Sequence, residues 1–178
     1  IDLVNASTVH VAAGTYNESI TIDKSLRLLG AQADTAVSSG RTAGDASEAT
    51  IQGLVTVAAG SVEVNGFTLT NPDATYAVSI GSHTPSYSDI DVLYNMIDEV
   101  GDAALGSNVH AVVLHGGADQ VTVKDNLFNN IKAGSRSASG VGVLDSQSTD
   151  PSEDVVIDGN VFTDIASTTK GAYGVIFN

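Results

Sequence analysis

The chain has 178 residues, 21 of them acidic against 7 basic, for a net charge of −14, and it has no cysteine. Its length suffices for one domain with a sizeable core. The charge repels nucleic-acid phosphates and anionic lipid and argues against both as partners. The absence of thiols removes disulfides, thiolate metal sites and cysteine nucleophiles. No apolar run reaches the ~18 residues that a membrane-spanning helix needs. Sixteen of the acids are Asp and five Glu. Such a surface suits solubility, high salt, where counterions screen self-repulsion, and calcium, which takes carboxylate oxygens.

The chain opens at Ile1-Asp2-Leu3 with no signal peptide in view, and residues 1–5 read as the tail of a capping helix. Asn5-Ala6-Ser7 and Asn17-Glu18-Ser19 are glycan acceptors if the protein is exported. Val9-His10-Val11 alternates as a short strand, and residues 12–16 (AAGTY) read as a turn with Gly14 free for a positive φ. Ile20-Thr21-Ile22 and residues 26–30 (LRLLG) follow as strands. Three short strands with small-residue corners then make one triangular coil. Residues 31–49 are small, polar and aperiodic, and read as a long loop projecting from the stack. Strands resume over residues 50–57, with a corner at residues 58–61.

From here the chain repeats. Residues 62–69 (VEVNGFTL), 90–100 (IDVLYNMIDEV), 121–131 (VTVKDNLFNNI) and 155–165 (VVIDGNVFTDI) align by their first residues, which stand 28, 31 and 34 apart. In the three later copies apolar residues hold the first, third, eighth and eleventh places, as in Val121, Val123, Phe128 and Ile131. Asparagine holds the sixth: Asn95, Asn126 and Asn160, with Phe67 in that place in the earliest copy. A second strand follows in each, aligning Val78, Val112, Val141 and Val175, then Ile80, Leu114, Val143 and Phe177. Pro85 and Pro151 fall in the intervening loops, where no ladder hydrogen bond is lost. A period near thirty residues signals a solenoid. Coils stacked ~4.8 Å apart bury together what none buries alone. The three asparagines are expected to form a ladder at one corner, donating and accepting along the stack.

Residues 9–31 (VHVAAGTYNESITIDKSLRLLGA) resemble the opening coil of the pectin-lyase-like superfamily, and the later copies resemble its generic repeats. The resemblance spans nearly the whole chain. It implies an all-β, right-handed parallel β-helix of about five coils, forming a single domain over residues 1–178 with an incomplete last coil. Members of that superfamily include polysaccharide lyases, glycoside hydrolases, uronate epimerases, phage tailspikes and noncatalytic surface proteins.

Alternation places the second and fourth residues of each repeat outside: Glu63, Asp91, Thr122 and Val156 in one column, Asn65, Leu93, Lys124 and Asp158 in the next. Glu63 and Asp91, one coil apart, have the chemistry for acid/base work or calcium, since a like charge raises one pKa. The favoured reading of these columns is structural, a solvated sheet face with one ion pair between Lys124 and Asp158. His115, with Asp145 near, has the chemistry of a general base or is a turn residue. His110 aligns with Tyr76, Ser139 and Tyr173 as a corner stack, and His10, His83 and His110 show no mutual metal-ligand spacing. Asp145, Asp150, Glu153, Asp154 and Asp158 offer calcium ligands, without EF-hand or β-roll spacing.

A lyase needs a strong base and cations, and of the seven basic residues the alignment places only Lys124 on this face. The Asn-Thr-Asp, Asp-Asp, Gly-His-Gly and Arg-x-Lys motifs of polygalacturonase-like hydrolases are absent. The expectation is a noncatalytic extracellular or cell-surface module, structural or adhesive. It needs no cofactor, with calcium as the one candidate. It assembles with other copies through open coil ends, or continues in a longer chain. The alternative is a carbohydrate-active enzyme, a lyase or epimerase working on the Glu63/Asp91/Lys124/Asp158 face, or a glycan-binding module on the same groove.

Overall fold

The computed structural model describes residues 7–81, 85–145 and 149–178. The capping-helix reading, Asn5 and His83 lie outside them. Short runs of Val, Ile, Thr and Leu punctuated by Gly, Asp and Asn give strands throughout. Among the described residues no helix is long and apolar enough to cross a membrane.

The chain enters as β1 (Ser7–His10), β2 (Gly14–Tyr16) and β3 (Ile20–Ile22). The next layers are β4 (Leu26–Leu29), β5 (Ala49–Gln52) and β6 (Val55–Val57), then β7 (Val62–Asn65), β8 (Thr68–Asn71) and β9 (Val78–Ile80). β10 (Tyr87–Leu93), β11 (Met96–Val100) and β12 (Val109–His115) follow, then β13 (Ala118–Lys124), β14 (Leu127–Ala133) and β15 (Ala138–Leu144). The last layer is β16 (Val156–Asp158), β17 (Val161–Phe162), β18 (Ile165–Ser167) and β19 (Ala172–Phe177). Three parallel sheets result. Sheet A runs β1-β4-β7-β10-β13-β16, sheet C runs β3-β6-β9-β12-β15-β19, and sheet B runs from β2 through β5, β8, β11 and β14 to β17 and β18. This is a parallel β-solenoid of about five coils.

The repeat alignment holds residue for residue. Val62, Ile90 and Val121 stack in register, as do Val78, Val112, Val141 and Val175. The inward columns make one continuous core in which Leu69, Ile80, Ile90, Ile97, Leu114 and Phe128 are fully buried. Each such side chain contributes on the order of 1.5–3 kcal/mol. The Phe128 ring stacks on Phe162 at 4.9 Å.

The first coil differs from expectation. Residues 14–16 are strand β2, not part of a turn, and Leu26–Leu29 pairs with Ser7–His10. β4 therefore opens the second layer instead of closing the first. β2 is three residues long, with only Tyr16 half-buried, too short to display an alternation.

The asparagine ladder forms as expected. Asn95 Oδ1 accepts the Phe67 N–H (3.0 Å), Asn126 Oδ1 that of Asn95 (2.8 Å), and Asn160 Oδ1 that of Asn126 (2.9 Å). Their Nδ2 groups donate to the carbonyls of Val64, Val92 and Val123 on the preceding coil. Each coil bends through left-handed residues in matching places. Ser61, Asp89, Gln120 and Asp154 precede the sheet A core residues; Gly66, Tyr94, Asp125 and Gly159 precede the ladder; Glu99, Asn130 and Asp164 bend sheet B. Asp, Asn and Gly tolerate that conformation best, and they fill most of these positions.

The long segment between β4 and β5 is tied to the stack at its middle. The Arg41 guanidinium, 4% exposed, grips the fully buried Glu48 carboxylate through Nε (3.0 Å) and Nη2 (2.8 Å). It also donates to the carbonyls of Thr35, Tyr94 and Phe67.

Candidate functional site

The outward residues of sheet A gather the charged side chains that the alignment singled out. Arg27 on β4, Glu63 on β7, Asp91 on β10 and Thr122 on β13 stand in one column on successive coils. Arg27 holds Glu63 through two hydrogen bonds, Nε to Oε2 at 2.5 Å and Nη2 to Oε1 at 3.2 Å. Asn65 Nδ2 donates to Glu63 Oε1 and to Asp34 Oδ1, both at 2.8 Å, and the Asp34 N–H returns to Asn65 Oδ1 at 3.0 Å. An open groove of about 250 Å³ runs beside them, edged by Ser61 and Asp89.

The two carboxyls are driven apart. The Arg27 hydrogen bond draws Glu63 below the usual Glu range, against partial desolvation and with help from Asn65. Asp91 is raised, first by desolvation and further by the negative charges of Asp89 and Glu63, against a hydrogen bond to Thr122. Glu63 is thus held as a carboxylate, while Asp91 retains its proton more readily than a free Asp.

Two expectations about this face need correction. Lys124 is not the only basic residue here: Arg27 stands on it too, because β4 belongs to sheet A. Asn65, expected outside, is fully buried, because Asp34 from the long segment closes over it. The expected neighbours Lys124 and Asp158 do pair, at 3.3 Å and half-exposed. That hydrogen bond raises the Lys124 pKa and keeps the amine protonated, the wrong state for a base.

The other candidates are dispersed. His115 ends β12 opposite Leu144, its ring edge-on to Tyr76 at 6.1 Å. Asp145 accepts from the Ser152 hydroxyl at 3.0 Å, and the same hydroxyl reaches the His115 carbonyl at 3.2 Å. Of the calcium candidates, Asp150 accepts from Ser86 Oγ, and Asp154 occupies a left-handed bend. The Glu153 N–H donates to Asp119, and Asp158 pairs with Lys124. Among the described residues no group of three or more His, Asp or Glu could hold a metal ion.

His110 lies in the corner stack that its alignment indicated, its ring parallel to Tyr76 at 6.2 Å. The alignment also put Ser139 beside it, and the structure turns that into a hydrogen bond, Nδ1 to Oγ at 2.7 Å. This is a Ser–His pair without access: His110 is 2% exposed, Ser139 fully buried, and Nε2 has no hydrogen-bond partner to orient the ring. Desolvation, with the nearby His115 adding to it, pushes the His110 pKa down to about 4.

No protein-family model, curated protein or solved structure matches the chain.

Proposed function

We propose that this chain is a noncatalytic β-solenoid module, a structural or adhesive scaffold of the kind exposed at a cell surface. One observation carries the reading: the outward polar side chains are engaged with one another from coil to coil. Arg27 binds Glu63, Lys124 binds Asp158, and Lys132 approaches Asp164 at 3.9 Å. Asp98, Asn129 and Thr163 form a hydrogen-bonded row across three coils. Such pairing stiffens a rod and leaves few groups converging on a substrate. Phe177 on the last layer continues the inward column of the core residue Val143 and is 69% exposed, an apolar surface fit to receive a coil of another copy. Sedimentation over rising protein concentration, with negative-stain microscopy, tests the assembling form of this reading. Rods that lengthen with concentration support it, and a monomer at every concentration overturns it.

A second reading rests on the opposed carboxyls of the groove. Glycoside chemistry needs one carboxyl protonated and its neighbour ionised, and Asp91 and Glu63 lean those ways one coil apart. The groove is then a carbohydrate site, catalytic or binding. Incubation with neutral and acidic glycans, with and without calcium, decides it: turnover lost in Asp91→Asn and in Glu63→Gln supports this reading. Turnover indifferent to both, or none on any glycan, removes its catalytic form.

A further inference from the structure

Residues 31–48 cross the outside of the stack between β4 and β5. Apart from the Arg41 side chain, residues 31–47 are exposed or half-buried, and the segment contributes nothing to the apolar core. Its attachments are polar. Glu48, accepting also from Thr68 Oγ1 at 3.0 Å, anchors one end, and Arg41 reaches back to the Phe67 and Tyr94 carbonyls of the third and fourth coils. At the other end Gln32 N–H donates to the Gly66 carbonyl at 3.2 Å.

Beneath the segment lies the outer face of sheet B. Its outward column passes from Thr68 to Met96, Leu127 and Val161, so polar residues give way to apolar ones. Met96 faces away from the core yet is 1% exposed. Thr42 and Ala43 meet Met96 and Leu127 across one narrow crevice, and Val37 and Ser38 meet Val161 across another. The segment keeps Met96 from water and half-covers Leu127, while Val161 at the end of the column stays exposed.

A region with few buried apolar contacts opens at low cost while the core stays closed. A buried ion pair opposes that opening in an all-or-none way, because separating it leaves an uncompensated charge. We propose that residues 31–48 are a strap that opens as a local unit, with the Arg41–Glu48 pair as its catch. Opening uncovers Met96 and the covered side of Leu127 while the coils remain stacked.

Two reporters are built into the chain. Met96 is its sole methionine, and Arg41 is the sole tryptic site in the strap. Glu48→Gln keeps the shape of the catch and removes its anion. In that variant, Met96 oxidation by dilute hydrogen peroxide and tryptic cleavage after Arg41 are each expected to rise at least about tenfold. The circular dichroism of the sheets is expected to stay native. Rates unchanged from the parent overturn the proposal. If the variant does not fold, the parent protein in graded urea gives the same decision. Oxidation and cleavage that begin below the unfolding transition support a local strap. Their coincidence with the transition makes the segment part of the global fold and overturns it.

Discussion

Asn126 lies one coil beyond Asn95 and serves it twice, its Oδ1 accepting the Asn95 backbone N–H at 2.8 Å and side-chain Nδ2 at 3.1 Å. Both residues are fully buried, so no water replaces a lost partner. Asn126→Ala orphans the Asn95 N–H and withdraws the donor that reaches Val92 O. The expected loss is about 3 kcal/mol, read as a lowered urea midpoint. Asn160→Ala, at a half-buried site on the last layer, is expected to cost about 1 kcal/mol.

The carboxyls of the groove are expected to titrate in opposite senses. By carbon-detected NMR, the Glu63 midpoint falls below the usual Glu value and the Asp91 midpoint above the usual Asp value. Arg27→Met returns Glu63 upward, since Arg27 is its main cause. For stability the signs follow from linkage. The Glu63 contribution is present above its ordinary pKa and lost as pH falls through its lowered one. Asp91 opposes folding at neutral pH and is relieved as pH falls through its raised pKa. Asp91→Asn is therefore expected to raise the neutral-pH urea midpoint.

His110 makes acid the weak side of this fold. Its pKa is about 4 in the folded chain against 6.5 for a free imidazole, so the unfolded chain binds the proton first. The His110 contribution is fully present above about pH 6.5, declines as pH falls to about 4 and changes no further below it, for a loss on the order of 3 kcal/mol. His110→Phe paired with Ser139→Ala removes the titrating ring and the hydroxyl it satisfies. In that double variant, urea midpoints at pH 7 and pH 4 are expected to differ by the correspondingly smaller amount.

Two glycines separate close approach from bend geometry. Gly66 has φ +78°, and a Cβ there would meet the backbone of Ala33 at 2.1 Å. Gly66→Ala is expected to cost about 3 kcal/mol, because backbone must move. Gly159 has φ +64°, but its Cβ would meet only the Asp125 carboxylate, which can swing away. Gly159→Ala is expected to cost about 1 kcal/mol, the bend penalty alone. Thermal melts of the two variants check the difference.

Much of the stack was legible because its physics is periodic. Val62, Ile90, Val121 and Val155 recur because each must cover the one before, and Asn95, Asn126 and Asn160 recur because each satisfies its neighbour's backbone. Where a coil departs from that economy, the signal disappears. β2 carries too few residues to show a pattern, so periodicity alone puts Leu26–Leu29 in the first layer and leaves Arg27 off the candidate face. Asn65 looked outward by alternation and is buried by Asp34, which is 31 residues away in a segment without periodicity. Arg41 and Glu48 are seven apart among small polar residues, and nothing local marks them as a pair. The groove was half legible. Its carboxyls followed from register, but the guanidinium that sets them apart did not.

The left-handed bends divide each turn into two kinds of chain. Between a bend and the next strand the count is fixed, since a single added residue would exchange the faces of everything that follows in that strand. The corner from sheet A to sheet B is fixed as well, but from sheet B to C and from C back to A the count is free: the first residues of successive copies stand 28, 31 and 34 apart while their columns stay aligned. The molecule is in this sense a ruler with blank margins. Foreign peptide is expected to be accepted between the exposed Gly106 and Ser107, or between Ser135 and Arg136, without disturbing the graduations. The spacing of whatever is displayed along the rod would then be set by counting coils.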